Sequence, residues 1–232
     1  MTLIVAMKAD SAIILAADSR GMIGNLNDLT AINDNQIKLH SLGNCGLGIA
    51  GASELGSSLL DEYRKKGYHQ PAPVDKVMNN ISHESLDCYN KWFGAISPEK
   101  RPGVFITLAG YRGNMSAKPE PMVYLLSSAQ NFAPMLMGRY PAMSGVPQYA
   151  VYLSHRYYDP SISTERAKAL AEYLISETAS QDPKVGGSIR MAEITAQNGY
   201  RELNEEEIGT ISADNTALNQ RLRQFFLSGS TK

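Results

Sequence analysis

The chain has 232 residues, 43% hydrophobic and 19% charged, with 22 Lys and Arg against 23 Asp and Glu. A net charge of −1 leaves no electrostatic footprint for nucleic acid or an anionic membrane, and the length suits one large core. Charge content lies below the ~25% usual in globular domains, which points to surface lost to subunit contacts as well as to the core. Cys45 and Cys88 belong to no C-x-x-C or Cys/His cluster. Both read as buried small apolar side chains in a reduced, cytoplasmic setting. The longest apolar run, Ala12 to Ala17, falls far short of the ~18 residues of a membrane helix. The N-terminus lacks a basic region and a cleavage site and reads as mature structure.

Leu3 to Met7 and Ala12 to Ala17 are continuously apolar rather than alternating, as strands covered on both faces are. Lys8-Ala9-Asp10-Ser11 supplies the turn of a hairpin between them. Gly21 to Asn35 reads as a polar loop, and Ile37 to His40 and Cys45 to Ala52 as a further pair of strands. Ser53 is positioned to cap a helix with Leu55, Leu59, Leu60 and Tyr63 on one face, ending at Gly67. Beyond Pro71 and Pro73, Val74, Val77, Met78, Ile81, Leu86, Tyr89, Trp92 and Phe93 trace a second helical stripe. Val104 to Tyr111 and Met122 to Ser127 follow as strands, separated by the turn-rich Arg112 to Pro121.

A third helix is predicted after Pro147, and a fourth from near Ser163 through Ala167, Leu170, Ala171, Leu174 and Ile175. Strands return at Ser188 to Thr195 and Tyr200 to Leu203 around a Gln197-Asn198-Gly199 turn. A last amphipathic helix carries Leu218, Leu222 and Phe225. This alternation of strands and helix pairs is an α+β order in which each pair covers a sheet face. No linker divides it, so a single domain over residues 1–232 is expected.

Thr2 offers a particular chemistry. A threonine is small enough for Met1 to be removed by a methionine aminopeptidase, which leaves a free α-amine beside a hydroxyl on one residue. Such an amine has a pKa of ~7.7–8.0 and acts as a base near neutral pH, one of the recurring ways to activate a hydroxyl nucleophile.

Thr2-Leu-Ile-Val-Ala-Met-Lys, followed by Ile14-Leu-Ala-Ala-Asp-Ser-Arg20, resembles the opening of a proteasome β-type subunit, an N-terminal-nucleophile hydrolase. The resemblance continues through Lys38, Gly48-Ile-Ala-Gly51, Met143-Ser-Gly-Val-Pro147 and Asp182-Pro-Lys-Val-Gly-Gly187, and is weaker between about residues 65 and 140. In style it is nearest to the bacterial proteasome-related ring proteins. It implies a four-layer αββα sandwich of two mainly antiparallel sheets flanked by helix pairs. It also implies a threonine endopeptidase that hydrolyses unfolded polypeptide inside a homo-oligomeric ring, with an ATP-driven unfoldase as a candidate partner.

Carried over by residue, Thr2 matches the nucleophile, Lys38 the catalytic lysine, and Asp18 the acid that holds it. An ammonium near the Thr2 hydroxyl and amine favours their deprotonated forms. Gly51 matches the glycine whose N–H faces the developing oxyanion, a donor worth ~3–4 kcal/mol. Ser144 and Asp182 match the serine and aspartate that orient the amine and a water. By the same correspondence Gln36, Ile49 and Ser53 line the first specificity pocket, with a preference for uncharged side chains.

Three departures stand out. Val185 occupies the place of a family serine and removes a hydrogen-bond partner of the amine. Met22 replaces a substrate-contacting threonine, and the stretch from Arg20 to Lys38 is longer than usual. The scattered His40, His69, His83 and His155 and the absence of a phosphate loop suggest neither a metal site nor a cofactor. Two alternatives stay open: a catalytically silent ring or scaffold of the same fold, and an amidohydrolase acting on small amides.

Overall fold

The computed structural model describes residues 2–25, 28–113 and 119–227, and not the side chains of residues 23–25, 28–30 and 53. In chain order the elements are β1 Leu3–Lys8, β2 Ile13–Asp18, β3 Gly21–Asn25, β4 Asp28–Asn33, β5 Leu39–Leu42, β6 Cys45–Gly51, α1 Ser53–Lys65 and α2 Val74–Phe93. They continue with β7 Val104–Arg112, β8 Glu120–Ser127, β9 Met135–Leu136, β10 Ala142–Gly145, α3 Gln148–Tyr157, α4 Thr164–Gln181, β11 Ile189–Thr195, β12 Gly199–Glu202 and α5 Glu205–Leu227.

Two five-stranded sheets, ordered β10-β1-β2-β11-β12 and β5-β6-β7-β8-β9, lie face to face, and their strand pairs are antiparallel. The apolar runs of β1 and β2 follow from this placement. Ile4, Ala6, Ile13, Leu15 and Ala17 point between the sheets, where they meet Leu39, Ala50, Ala109 and Val123. Leu3, Val5, Met7, Ile14 and Ala16 point the other way, onto Ala167, Ala171, Leu174 and Ile175 of α4. Period two is still present, but both faces of the hairpin are dry, so it leaves no polar trace in the sequence. Its turn closes with the Ala9 N–H donating to the Ala12 carbonyl at 2.8 Å.

On the outer face of the second sheet α1 and α2 bury Leu55, Leu59, Tyr63, Val74, Val77 and Ile81 against Leu47, Ile106 and Leu108. Each such side chain contributes roughly 1.5–3 kcal/mol. The result is an α+β sandwich of four layers.

Several local readings change. Gly21 to Asn35 is a β-hairpin, β3 with β4, in place of the expected loop. Its residues carry no clear alternation because the two strands form a sheet of their own. The α1 cap position is Ala52, without a side-chain cap. Trp92, read as part of the α2 stripe, is 52% exposed. The short β9 and β10 escaped the sequence reading, being too brief to show a period.

Helix α5 is a third helix on its side of the molecule rather than half of a pair. Ile208 and Ile211 reach the core beneath α4, and Ser212 and Asn215 hydrogen-bond to the Glu172 carboxylate. Leu218, Leu222 and Phe225 remain exposed. Cys45 and Cys88 are both buried and free. Met1 and residues 114–118 of the predicted turn lie outside the described residues, and no helix among those described is long and apolar enough to cross a membrane.

Candidate active site

Asp18 ends β2 at the mouth between the sheets. Its Oδ1 accepts the Lys38 ammonium at 2.8 Å and the Leu3 N–H at 2.9 Å. Its Oδ2 accepts the N–H groups of Gly186 at 3.0 Å and Arg20 at 3.2 Å. Lys38 Nζ donates again to the Arg20 carbonyl at 2.7 Å. Both side chains are essentially fully buried. A buried ion pair repays its desolvation only when such additional hydrogen bonds complete it, and here they come from three stretches of chain, at Leu3, Arg20 and Gly186. Burial holds the Lys38 pKa below the usual lysine range, with the adjacent Asp18 carboxylate opposing the shift.

The approach to Lys38 is braced. Arg20 binds Asp34 through two N–H···O contacts of 2.7 and 3.0 Å and donates to the Pro183 carbonyl at 3.0 Å. These hydrogen bonds raise the pKa of the guanidinium and lower that of the Asp34 carboxyl. The Gln36 N–H donates to the Ser19 carbonyl at 2.9 Å. The long stretch between Arg20 and Lys38 is thereby tied back to the sheet it leaves.

Thr2 is buried directly before β1, and its carbonyl accepts the Val146 N–H at 2.8 Å. Gly145 makes this approach feasible: at φ +97°, a Cβ there would stand 1.6 Å from the Thr2 oxygen. Thr2, Lys38 and Gly51 line one cavity of about 330 Å³ together with Gln36 and Ile49. Gly51 closes β6 at φ +111°, where a Cβ would meet the Gly103 carbonyl at 2.1 Å. Only glycine fits, and it leaves backbone at the cavity wall.

The other expected site residues lie differently. Ser144 sits in β10 opposite Ile4, and its hydroxyl pairs with the Thr107 hydroxyl at 3.2 Å between the sheets. Asp182 follows α4 and accepts the Lys184 N–H at 2.9 Å, which folds its carboxylate into its own turn. Val185 is fully buried among the apolar side chains under α4. Met22 is half-buried in the hairpin opposite Ile32 and is not part of the cavity lining. Ser53 opens α1, and its side chain lies outside the described residues.

The cavity also contains His40, Ser57 and Leu60, which sequence reasoning passed over. A signal existed. His40 is two residues beyond Lys38 as the chain enters a strand, and Ser57 and Leu60 are four and seven beyond Ser53 on a helix. Burial, with help from the charges of Arg64 and Arg190, pushes the His40 pKa down to about 4. A larger cavity of about 480 Å³, bordered by Asn44, Pro71, Pro73, Tyr111 and Gln197, gathers no acid–base pair. Among the described residues no cluster of three or more His, Cys, Asp or Glu could hold a metal.

Solved structures with this arrangement of sheets and helices include Anbu, the ancestral beta-subunit, from Yersinia bercovieri. It matches with a TM-score of 0.78 and 12% identity over 99% of this chain and 98% of that one. The helical assembly of the Anbu complex from Pseudomonas aeruginosa gives a TM-score of 0.80 and 14% identity, again over 99% and 98%. The chain has the proteasome β-type fold. The same fold is seen in an Anbu (Gly-1) mutant from Hyphomicrobium, with a TM-score of 0.76 and 13% identity over 100% and 99% of the two chains. In sequence it is 22% identical over 220 residues to a proteasome subunit beta of Methanopyrus kandleri, covering 89% of this chain and 93% of that protein. No protein-family model matches it. At these identities the likeness to the solved structures is one of fold.

Proposed function

We propose that the chain is a threonine-type peptidase subunit that hydrolyses peptide bonds of unfolded polypeptide within a homo-oligomeric assembly. The observation that carries this reading is the convergence of Thr2, Lys38 and Gly51 on one cavity, with Lys38 held by Asp18. In this scheme Met1 is removed, Thr2 Oγ attacks the peptide carbonyl, and its proton passes to the freed amine. The Lys38 ammonium keeps that amine unprotonated by its charge. The Gly51 N–H stabilises the tetrahedral oxyanion, and water then releases the acyl group. Ser144, opposite Ile4 in the register, is assigned to orientation of the amine, whereas the Asp182 carboxylate is spent on its own turn. An assembly agrees with the Pseudomonas aeruginosa relative, described as helical, and with the exposed Leu222 and Phe225. An ATP-driven unfoldase and a cytoplasmic setting belong to the same proposal.

Intact mass of the purified protein is expected to show loss of Met1, and Thr2→Ala to abolish hydrolysis of denatured protein. Hydrolysis that persists in Thr2→Ala overturns the assignment. A silent scaffold of the same fold is favoured by one feature, the engagement of Asp182 by the Lys184 N–H and of Val185 by apolar side chains. It predicts assembly without turnover of any peptide or small amide.

A further inference from the structure

The cavity beside Thr2 has a chemical character of its own. Ile49, Ala50, Ala52 and Leu60 form apolar wall, whereas Gln36 and His40 place polar groups in it. His40 lies on β5 opposite Leu47 of β6, a strand without charged residues. The charges that act on its ring are guanidiniums, Arg64 in the last turn of α1 and Arg190 on β11. Their own carboxylate partners are Asp61 at 3.7 Å and Glu202 at 3.2 Å. Lys38, two residues away, is engaged by Asp18. Among the described residues no Asp or Glu lines the cavity.

We infer that His40 determines which side chain this cavity takes, favouring one that ends in an uncharged amide, as glutamine does, over one that ends in a cation or in plain hydrocarbon. This rests on the peptidase reading, in which the cavity receives the substrate side chain next to the cleaved bond. The ring is neutral near pH 7, so one nitrogen donates and the other accepts. A carboxamide supplies the complementary acceptor and donor. A hydrocarbon tip leaves the ring nitrogens unpaired as it expels their water. An ammonium or guanidinium gains no carboxylate partner there and shares the cavity with the Lys38 ammonium. His40 is partly buried rather than sealed, so the discrimination is about tenfold and not the ~10⁴–10⁵-fold of a closed hydrogen-bonding pocket.

The test is kcat/KM for three fluorogenic peptides differing only in the residue before the cleaved bond, Gln, Leu or Lys. The expected order is Gln, then Leu, then Lys, with Gln about tenfold above Lys. His40→Leu is expected to turn the Gln-to-Leu ratio toward Leu by about fivefold or more, and His40→Gln, which keeps an amide on the wall, to preserve it. A ratio unchanged in His40→Leu, or a preference for Lys in the unaltered protein, overturns the inference. Absence of cleavage of all three peptides counts against the peptidase reading itself. The pocket is then read by imidazole nitrogen NMR on Thr2→Ala protein. A peptide ending in glutamine amide is expected to shift the His40 ring signals and its lysine counterpart not to. Equal shifts, or none, overturn the inference.

Discussion

The carboxylate of Asp18 gathers a lysine ammonium and the N–H groups of Leu3, Arg20 and Gly186, whereas that of Asp182 accepts the amide two residues further along its own chain. Asp18 closes β2 and Asp182 directly follows α4, and both were candidates for the site from the sequence. Their surroundings differ. Asp18 is sealed between the end of the central strand β2 and the 183–187 turn, so its charge has to be met by partners from distant sequence. Asp182 is half-buried beside a Pro183 and a pair of glycines, and the nearest unsatisfied donor is the one its own turn presents. A short acidic side chain thus serves as a long-range organiser or as a local cap according to what else can reach it.

The contrast can be broken most directly at Thr2, which the Asp18 side presents to the cavity. Thr2→Ala is expected to lower peptide hydrolysis by at least ~10³-fold with folding intact, measured by turnover and circular dichroism. Next comes Asp18→Asn. It leaves a buried ammonium without its counter-charge and is expected to cost about 3–5 kcal/mol in urea unfolding, with loss of turnover. A loss below ~1 kcal/mol would mean that Lys38 is not held as an ion pair.

Gly51→Ala is expected to cost roughly 3 kcal/mol or to shift the end of β6, because its φ and the Gly103 carbonyl both exclude a Cβ. His40 measures how far burial extends from the Asp18 side. Its folded pKa of about 4 lies below the ~6.5 of an unfolded chain, so the unfolded state takes up the proton first as pH falls. Stability present above pH ~6.5 should decline between there and pH ~4, by up to about 3 kcal/mol. His40→Leu should remove that part of the acid sensitivity in urea melts at pH 7 and 4.5. The smallest effect belongs to Asp182→Asn, which keeps the acceptor of the turn and should cost no more than ~0.5 kcal/mol with turnover changed less than threefold. A tenfold fall in turnover would show that this carboxylate reaches the amine and would erase the contrast with Asp18.

Much of the fold was legible because it is local. The apolar runs at Leu3 and Ala12, the stripe from Val74, and the cap at Ser163, which accepts the Arg166 N–H at 3.4 Å, all write their structure into neighbouring residues. The β3–β4 hairpin was not legible, since two strands that pair only with each other need no core-facing period. In the site, Thr2, Lys38 and Gly51 were found through ordered motifs, and the structure places all three on one cavity. His40 was passed over because a single histidine on an edge strand has no sequence signature beyond its two-residue offset from Lys38. Its character comes first from burial and then from Arg64 and Arg190, which are distant in sequence.

The sequence by itself determined the α+β order and the double-faced hairpin at its start, while Thr2, Lys38 and Gly51 entered as candidates through a resemblance of ordered motifs. Element order and hairpin follow from periodicity, which is a property of neighbouring residues. Only the tertiary structure decided where each carboxylate spends its charge, that Ser144 meets Thr107 between the sheets, and that His40 shares a cavity with Thr2. Those depend on which groups are removed from water together, and the chain decides that only when its two sheets close on each other.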